Sequence, residues 1–223
     1  MKRYALLLAT VAIAALMIWA GHQAHLAALN SHPQSPPPAV SLLAPPDLEA
    51  GLTTPIPALL PAFSLKDRNG NATPISKWRG KSLVINFWAT WCAPCRREMP
   101  LLQSLDRDWA SQDFRVIGIA VDQHDRVVAF ADSLGIAYPL LIGDEDALDV
   151  AAQLGVTSPA FPFTVFTDRQ GQIVALYLGE LHKAQTDLIL SVVSQVNRRA
   201  LALDEARQRI ADGLAKLKAT TSI

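Results

Sequence analysis

Val84-Ile-Asn-Phe-Trp-Ala-Thr-Trp-Cys-Ala-Pro-Cys-Arg-Arg-Glu-Met-Pro100 is the stretch on which the reading of this chain turns, because it holds the only two cysteines, Cys92 and Cys95. The β-branched and aromatic run from Val84 to Trp88 reads as a buried strand, and Arg96 through Trp109 has the apolar spacing of a helix, so the cysteines fall where strand turns into helix. At a helix start the unpaired backbone N–H groups and the dipole favour an anion. A thiolate on Cys92 is stabilised there, its pKa drawn from ~8.5 into a range of about 3.5–7.5, which makes Cys92 the nucleophile. Two intervening residues set Cys95 one helical turn further in, close enough to form a disulfide with Cys92 after the thiolate has attacked a partner's disulfide. Cys95 is then the resolving thiol. Pro94 suits the first turn, where its missing N–H would be an orphan anyway, and small Ala93 leaves the sulfur approachable. Trp91 reads as an apolar shield and docking rim, with core packing as the alternative, while Phe87 and Trp88 read as core.

Phe87-Trp88-Ala89-Thr90-Trp91-Cys92-Ala93-Pro94-Cys95 resembles the active site of the thioredoxin superfamily. The continuation Arg96-Arg97-Glu98-Met99-Pro100 resembles its membrane-anchored extracytoplasmic branch, the TlpA/ResA-like thiol–disulfide oxidoreductases. The resemblance runs from about Pro61 to Val196 and implies a thioredoxin-like α/β fold. It matches Ser158-Pro-Ala-Phe-Pro-Phe-Thr164 to a loop in which one proline, here Pro162, is cis and faces the disulfide, with the backbone of Phe161 pairing with an incoming substrate strand. On the residues alone, Pro159 and Pro162 read equally well as loop punctuation. Phe161 is bulkier than the Thr or Val often found before this proline, so the family's substrate preference does not carry over. Asn86 stands where thioredoxins have a buried aspartate, and it cannot take a proton. In the TlpA/ResA branch the acid is instead a glutamate of the first helix, which Glu98 matches, one turn after Cys95 on the same helical face. By that resemblance Glu98 relays protons to or from the resolving thiol; the residues alone also allow a surface glutamate beside Arg96 and Arg97.

The resemblance further implies a reductase, a protein-disulfide reductase that needs no cofactor. Electrons would pass from a membrane thiol-electron transporter through Cys92 and Cys95 to disulfide-bearing periplasmic proteins, such as apocytochrome c in cytochrome c biogenesis or a copper-site assembly protein. Ala93-Pro94 does not fix the direction of exchange, so a dithiol oxidase or isomerase on the same fold is the alternative. A copper-binding or copper-delivery protein is another, although those relatives space their cysteines by three residues and add a matched histidine. No metal site is expected, since two cysteines without a second pair make an incomplete structural zinc site.

Half of the 223 residues are hydrophobic, enough for a substantial core. Lys plus Arg and Asp plus Glu balance at 20 each, leaving no overall field to attract nucleic acid. Residues 1–3 supply a positive start to the apolar run Tyr4–Gly21, about 27 Å as a helix against a bilayer core of about 30 Å. No small-x-small cleavage site follows Trp19, so residues 4–21 read as an uncleaved transmembrane signal anchor. Lys2 and Arg3 stay in the cytoplasm, which sends the rest to the periplasmic side of a bacterial inner membrane. Prolines recur through residues 22–60, a linker of extended backbone.

Residues 61–199 form the predicted thioredoxin-like domain. Ala62–Lys66 and Ala72–Ile75 read as an N-terminal hairpin around the turn Asp67–Asn71, and Phe114–Val121 as a second buried strand. Helical spacing follows over Arg126–Leu134, a strand over Tyr138–Ile142 and a helix over Glu145–Leu154; the first two of these resemble the TlpA/ResA insert. Phe163–Thr167 and Gln172–Leu178 make a hairpin, and Lys183–Arg199 a closing helix. The whole is a mixed central sheet with helices on both faces. Residues 200–223 read as a C-terminal amphipathic helix, with Leu201, Ile210, Leu214 and Leu217 facing either its own domain or a partner. His124 and His182 read as surface residues.

Overall fold

A computed structural model describes residues 56–158 and 160–221. The anchor of residues 4–21 and nearly all of the linker lie outside the described residues; among the described ones, no helix is long and apolar enough to cross a membrane. In chain order the strands are β1 (Ser64–Asp67), β2 (Ala72–Pro74), β3 (Ser82–Trp88), β4 (Phe114–Val121), β5 (Leu140–Gly143), β6 (Phe163–Thr167) and β7 (Ile173–Leu178). The helices are α1 (Ala93–Asp108), α2 (His124–Ser133), α3 (Glu145–Gln153), α4 (Lys183–Asn197) and α5 (Leu203–Thr221).

The run Ser82-Leu-Val-Ile-Asn-Phe-Trp88 is buried at every position, as expected for a strand covered on both faces. β3 lies beside parallel β4, in register from Ser82↔Phe114 to Trp88↔Ala120, and antiparallel β6 on its other flank. The full order is β2-β1-β5-β4-β3-β6-β7. The N-terminal hairpin lies at the edge of the sheet, where β1 pairs with β5. Its turn is set locally: the Asp67 carboxylate accepts the N–H groups of Asn69 and Asn71, and Gly70 takes φ 79°, a conformation that costs glycine little.

Alternation along β3 divides the core. Val84 and Trp88 belong to a cluster with Met99 and Leu102 of α1, Val127 of α2, Leu190 of α4 and Ile210 of α5. Ile85 and Phe87 point the other way, into a cluster with Ala147 and Val150 of α3. Asn86 shares its face with Val84 and Trp88, because side chains two apart on a strand point the same way. That register puts an amide under α1.

One boundary differs from the sequence reading. Residues 56–60, assigned to the linker because of their prolines, already belong to the domain: Ile56 is buried, Leu60 N–H donates to Gly171 C=O at 2.8 Å, and Ile173 N–H donates to Ala58 C=O at 2.9 Å. The C-terminal helix docks on its own domain. Leu201, Ala206 and Ile210 are buried, and Arg207 caps the Ile173 carbonyl at 2.9 Å. Gly213 lets α5 approach α4, since a Cβ there would stand 2.5 Å from Leu188 Cδ2.

Candidate functional site

Chain order alone brings the sulfurs to the end of the sheet where β3 gives way to α1. Cys92 is the N-cap residue of α1, with extended backbone, and Pro94 occupies its first turn. The Cys92 sulfur accepts the Cys95 N–H at 3.3 Å, so one of the orphan donors of the helix start already points at the atom that would carry the charge. Cys92 and Cys95 are joined as a disulfide, with Cα atoms 5.3 Å apart. Cys92 is 4% exposed and Cys95 fully buried, which orders the two chemically: only Cys92 can be reached from outside.

Around the sulfurs the surface is apolar. Trp91 is 66% exposed, an unusual position for a large aromatic. Its ring meets Phe161 edge-on at 6.0 Å; Phe161 stacks on Phe163 at 6.2 Å, and Phe163 on Phe87 at 4.3 Å. This file of rings carries the exposed rim back into the core. The Phe161–Pro162 peptide bond is cis. Phe161 is half-buried, Pro162 buried, and the Pro162 carbonyl accepts Gly179 N–H at 2.9 Å. Pro94 is half-buried beside the disulfide.

Glu98 is the charged side chain of α1 that is fully buried; it is 2% exposed, whereas Arg96 and Arg97 beside it are exposed. Its Oε1 accepts the Asn86 amide at 2.8 Å and its Oε2 the Leu181 N–H at 2.6 Å. Asn86 in turn donates to Thr164 Oγ1 at 3.0 Å. Burial pushes the Glu98 carboxyl up to about 7, against the two hydrogen bonds that favour its charged form, and the nearby Glu180 charge adds to the rise. The surface alternative for Glu98 therefore falls, because its side chain is packed beneath the helix.

The structure also brings in residues that sequence reasoning passed over. Thr90, two residues before the nucleophile, donates to Asp122 Oδ2, and Asp122 Oδ1 accepts the Gln123 N–H at 2.8 Å while Arg126 lies 3.5 Å away. Asp122 follows the last residue of β4, and the carboxyl ends of adjacent parallel strands are where α/β sheets build their sites, so its position was the available signal. Glu180 receives both bonds of a bidentate contact from Arg97 Nε, each at 3.0 Å. His124 contacts Asp125 and the Asp67 carbonyl, and His182 is exposed at the start of α4.

Residues 56–176 match the model of the AhpC/TSA family. The chain is 34% identical over 131 residues to the thioredoxin-like protein YneN of Bacillus subtilis, covering 57% of this chain and 74% of that protein. It is 32% identical over 124 residues to the thiol-disulfide oxidoreductase ResA of Geobacillus kaustophilus, covering 55% and 69%. Among solved structures, a thiol:disulfide interchange protein of the thioredoxin family from Chlorobium tepidum superposes with a TM-score of 0.56 at 28% identity, over 64% of this chain and 99% of that one.

Proposed function

The chain belongs to the AhpC/TSA family as a TlpA/ResA-like protein, and from that premise we propose that it is a tethered extracytoplasmic reductase of protein disulfides. That it is a thiol–disulfide oxidoreductase follows from its relatives and from the Cys92–Cys95 pair. The observation that carries the mechanism is the Cys92 sulfur at the N-cap of α1, accepting the Cys95 N–H while bonded to the Cys95 sulfur.

In the reduced enzyme the Cys92 thiolate attacks one sulfur of a partner's disulfide. A Cys92–partner bond forms, the partner's S–S bond breaks, and the leaving thiolate takes a proton. Cys95, deprotonated, then attacks the Cys92 sulfur, forming the disulfide seen here and releasing the second partner thiol. Two electrons have moved from the Cys92–Cys95 dithiol to the partner, and a membrane dithiol donor restores the pair by the same exchange in reverse. Glu98 is the acceptor and donor for the Cys95 proton, since a carboxyl with a midpoint of about 7 exists in both forms near neutral pH. Phe161 and Pro162 offer backbone to the partner segment, and Trp91 covers its apolar side chains. The proteins it serves, in this reading, are apocytochrome c or a copper-site assembly protein on the outer side of the inner membrane.

Replacing Cys95 by Ser in the full chain removes the resolving step, so mixed disulfides with partners accumulate in cells and are released by dithiothreitol. Adding Cys92→Ser abolishes them. Absence of such adducts would overturn the reading, and an equilibrium potential near that of strong oxidants, about −120 mV, would overturn the reductive direction. Labelling of Cys92 in intact spheroplasts by a membrane-impermeant maleimide tests the location; labelling only after lysis would refute it.

A further inference from the structure

Gly179-Glu180-Leu181, three of the four residues between β7 and α4, contact three parts of the site. Gly179 N–H donates to the Pro162 carbonyl at 2.9 Å. The Glu180 carboxylate holds Arg97 Nε at 3.0 Å through both oxygens. Leu181 N–H donates to Glu98 Oε2 at 2.6 Å. The first contact reaches the proline loop, the second the outer face of α1 and the third the buried acid. Gly179 makes the reversal possible with φ 102°, a conformation that residues with side chains rarely adopt. One end of the linker is fixed by the buried Leu181 side chain and the other by Pro162. Its middle is fixed by the ion pair, in which Arg97 is exposed and Glu180 largely covered.

We propose that Arg97 and Glu180 are positioning residues for disulfide exchange: their ion pair pins Gly179–Leu181 against α1, and the pinned linker holds both the Phe161–Pro162 backbone and the Glu98 carboxyl in place. The inference rests on the reading that Phe161 and Pro162 receive the partner and Glu98 handles the proton. Other groups face Glu98 and would respond to a field change alone: Asn86 from β3, Tyr177 from β7, Tyr138 before β5, and Glu180 itself. His182 acts on Glu180, and Asp106 acts on Tyr138. Position and field can be separated, because they predict different signs. Arg97→Met leaves the Glu180 charge unneutralised and raises the Glu98 midpoint, whereas Glu180→Gln removes that charge and lowers it. Loss of positioning weakens partner docking in both variants.

The test uses the full chain reducing a synthetic peptide with an intrachain disulfide, dithiothreitol regenerating the dithiol and its direct reaction subtracted. KM is expected to rise about two- to fivefold in both Arg97→Met and Glu180→Gln, with kcat changed by less than about twofold, the range of an exposed ion pair. The double exchange Arg97→Glu with Glu180→Arg restores the pair in reverse and returns KM towards the native value. Unchanged KM in both single variants, KM shifts of opposite sign, or no recovery in the double exchange would each overturn the proposal. Native chain that reduces no peptide would overturn the functional reading and this proposal together; native activity with unshifted variants overturns this proposal alone.

Discussion

Glu98→Gln is the substitution that asks most of this structure. Glu98 is 2% exposed, and burial moves its midpoint from 4.5 to about 7. At about 1.36 kcal/mol per pKa unit, that shift corresponds to roughly 3 kcal/mol. The sign follows from proton counting. Between pH 4.5 and about 7 the folded chain keeps a proton on Glu98 that the unfolded chain has lost, so folding is favoured at low pH and stability falls as pH rises through this window. Below it the folded state carries no penalty from this group; above it the penalty is complete at roughly 3 kcal/mol. The substituted amide stays neutral throughout. It brings a fixed cost of its own, because Asn86 and Leu181 both donate to the carboxylate and an amide offers only one oxygen, leaving one donor opposed at about 1–3 kcal/mol independent of pH. The variant is therefore less stable than the native chain at pH 4.5, and by pH 8 the gap closes or reverses. Urea unfolding of both oxidised chains from pH 4.5 to 8 measures this directly, since all other groups cancel in the difference. A stability difference that changes by less than about 0.5 kcal/mol over that range would show that Glu98 titrates as an ordinary carboxyl, and burial could no longer be what sets its midpoint.

Two further substitutions test neighbouring parts of the reasoning. Asn86→Asp puts a second carboxyl where an amide now donates to Glu98 at 2.8 Å; the pair should share one proton near neutral pH and lose stability steeply above pH 7, by about 3 kcal/mol more than at pH 5, in the same unfolding assay. A flat difference would mean that the amide does not face the acid. Ile210→Ala empties a fully buried position where α5 meets the core and should cost about 2–5 kcal/mol by denaturant unfolding; a cost under about 0.5 kcal/mol would mean that the helix is not docked in solution.

What could be read in the sequence was whatever depends on near neighbours along the chain. Val84–Trp88 and Phe163–Thr167 announce themselves as strands because buried strands are continuously apolar, and the cysteines mark the strand-to-helix junction because Pro94 and Ala93 suit a first turn. The prolines before Ala62 concealed a packed segment: Ile56 is buried and Leu59 makes only a single bridge, to Gln172, too little for a strand pattern to be visible. Glu98 could not be separated from its arginine neighbours by composition; only the helix rotation that turns Arg96 and Arg97 outward puts it inside. Asp122 and Glu180 were missed for a related reason, as each matters through a partner 32 or 83 residues away.

The burial of Glu98 also explains why an amide rather than an acid suits position 86. A thiol near its ordinary pKa of about 8.5 gives its proton to a carboxylate of midpoint 4.5 at a cost of about 4 pKa units, but to one of midpoint about 7 at a cost of about 1.5. The difference is the same roughly 3 kcal/mol by which ionised Glu98 weakens the fold above neutral pH, because both quantities are one linkage seen from two sides. Two acids in this place would repel each other and split into two unequal midpoints; one acid held by the Asn86 amide gives a single titration near neutrality. Under the proposed relay, the stability the fold lacks at pH 8 and the proton affinity offered to Cys95 are a single property, and a substitution that recovers the first should slow the resolving step by abolishing the second.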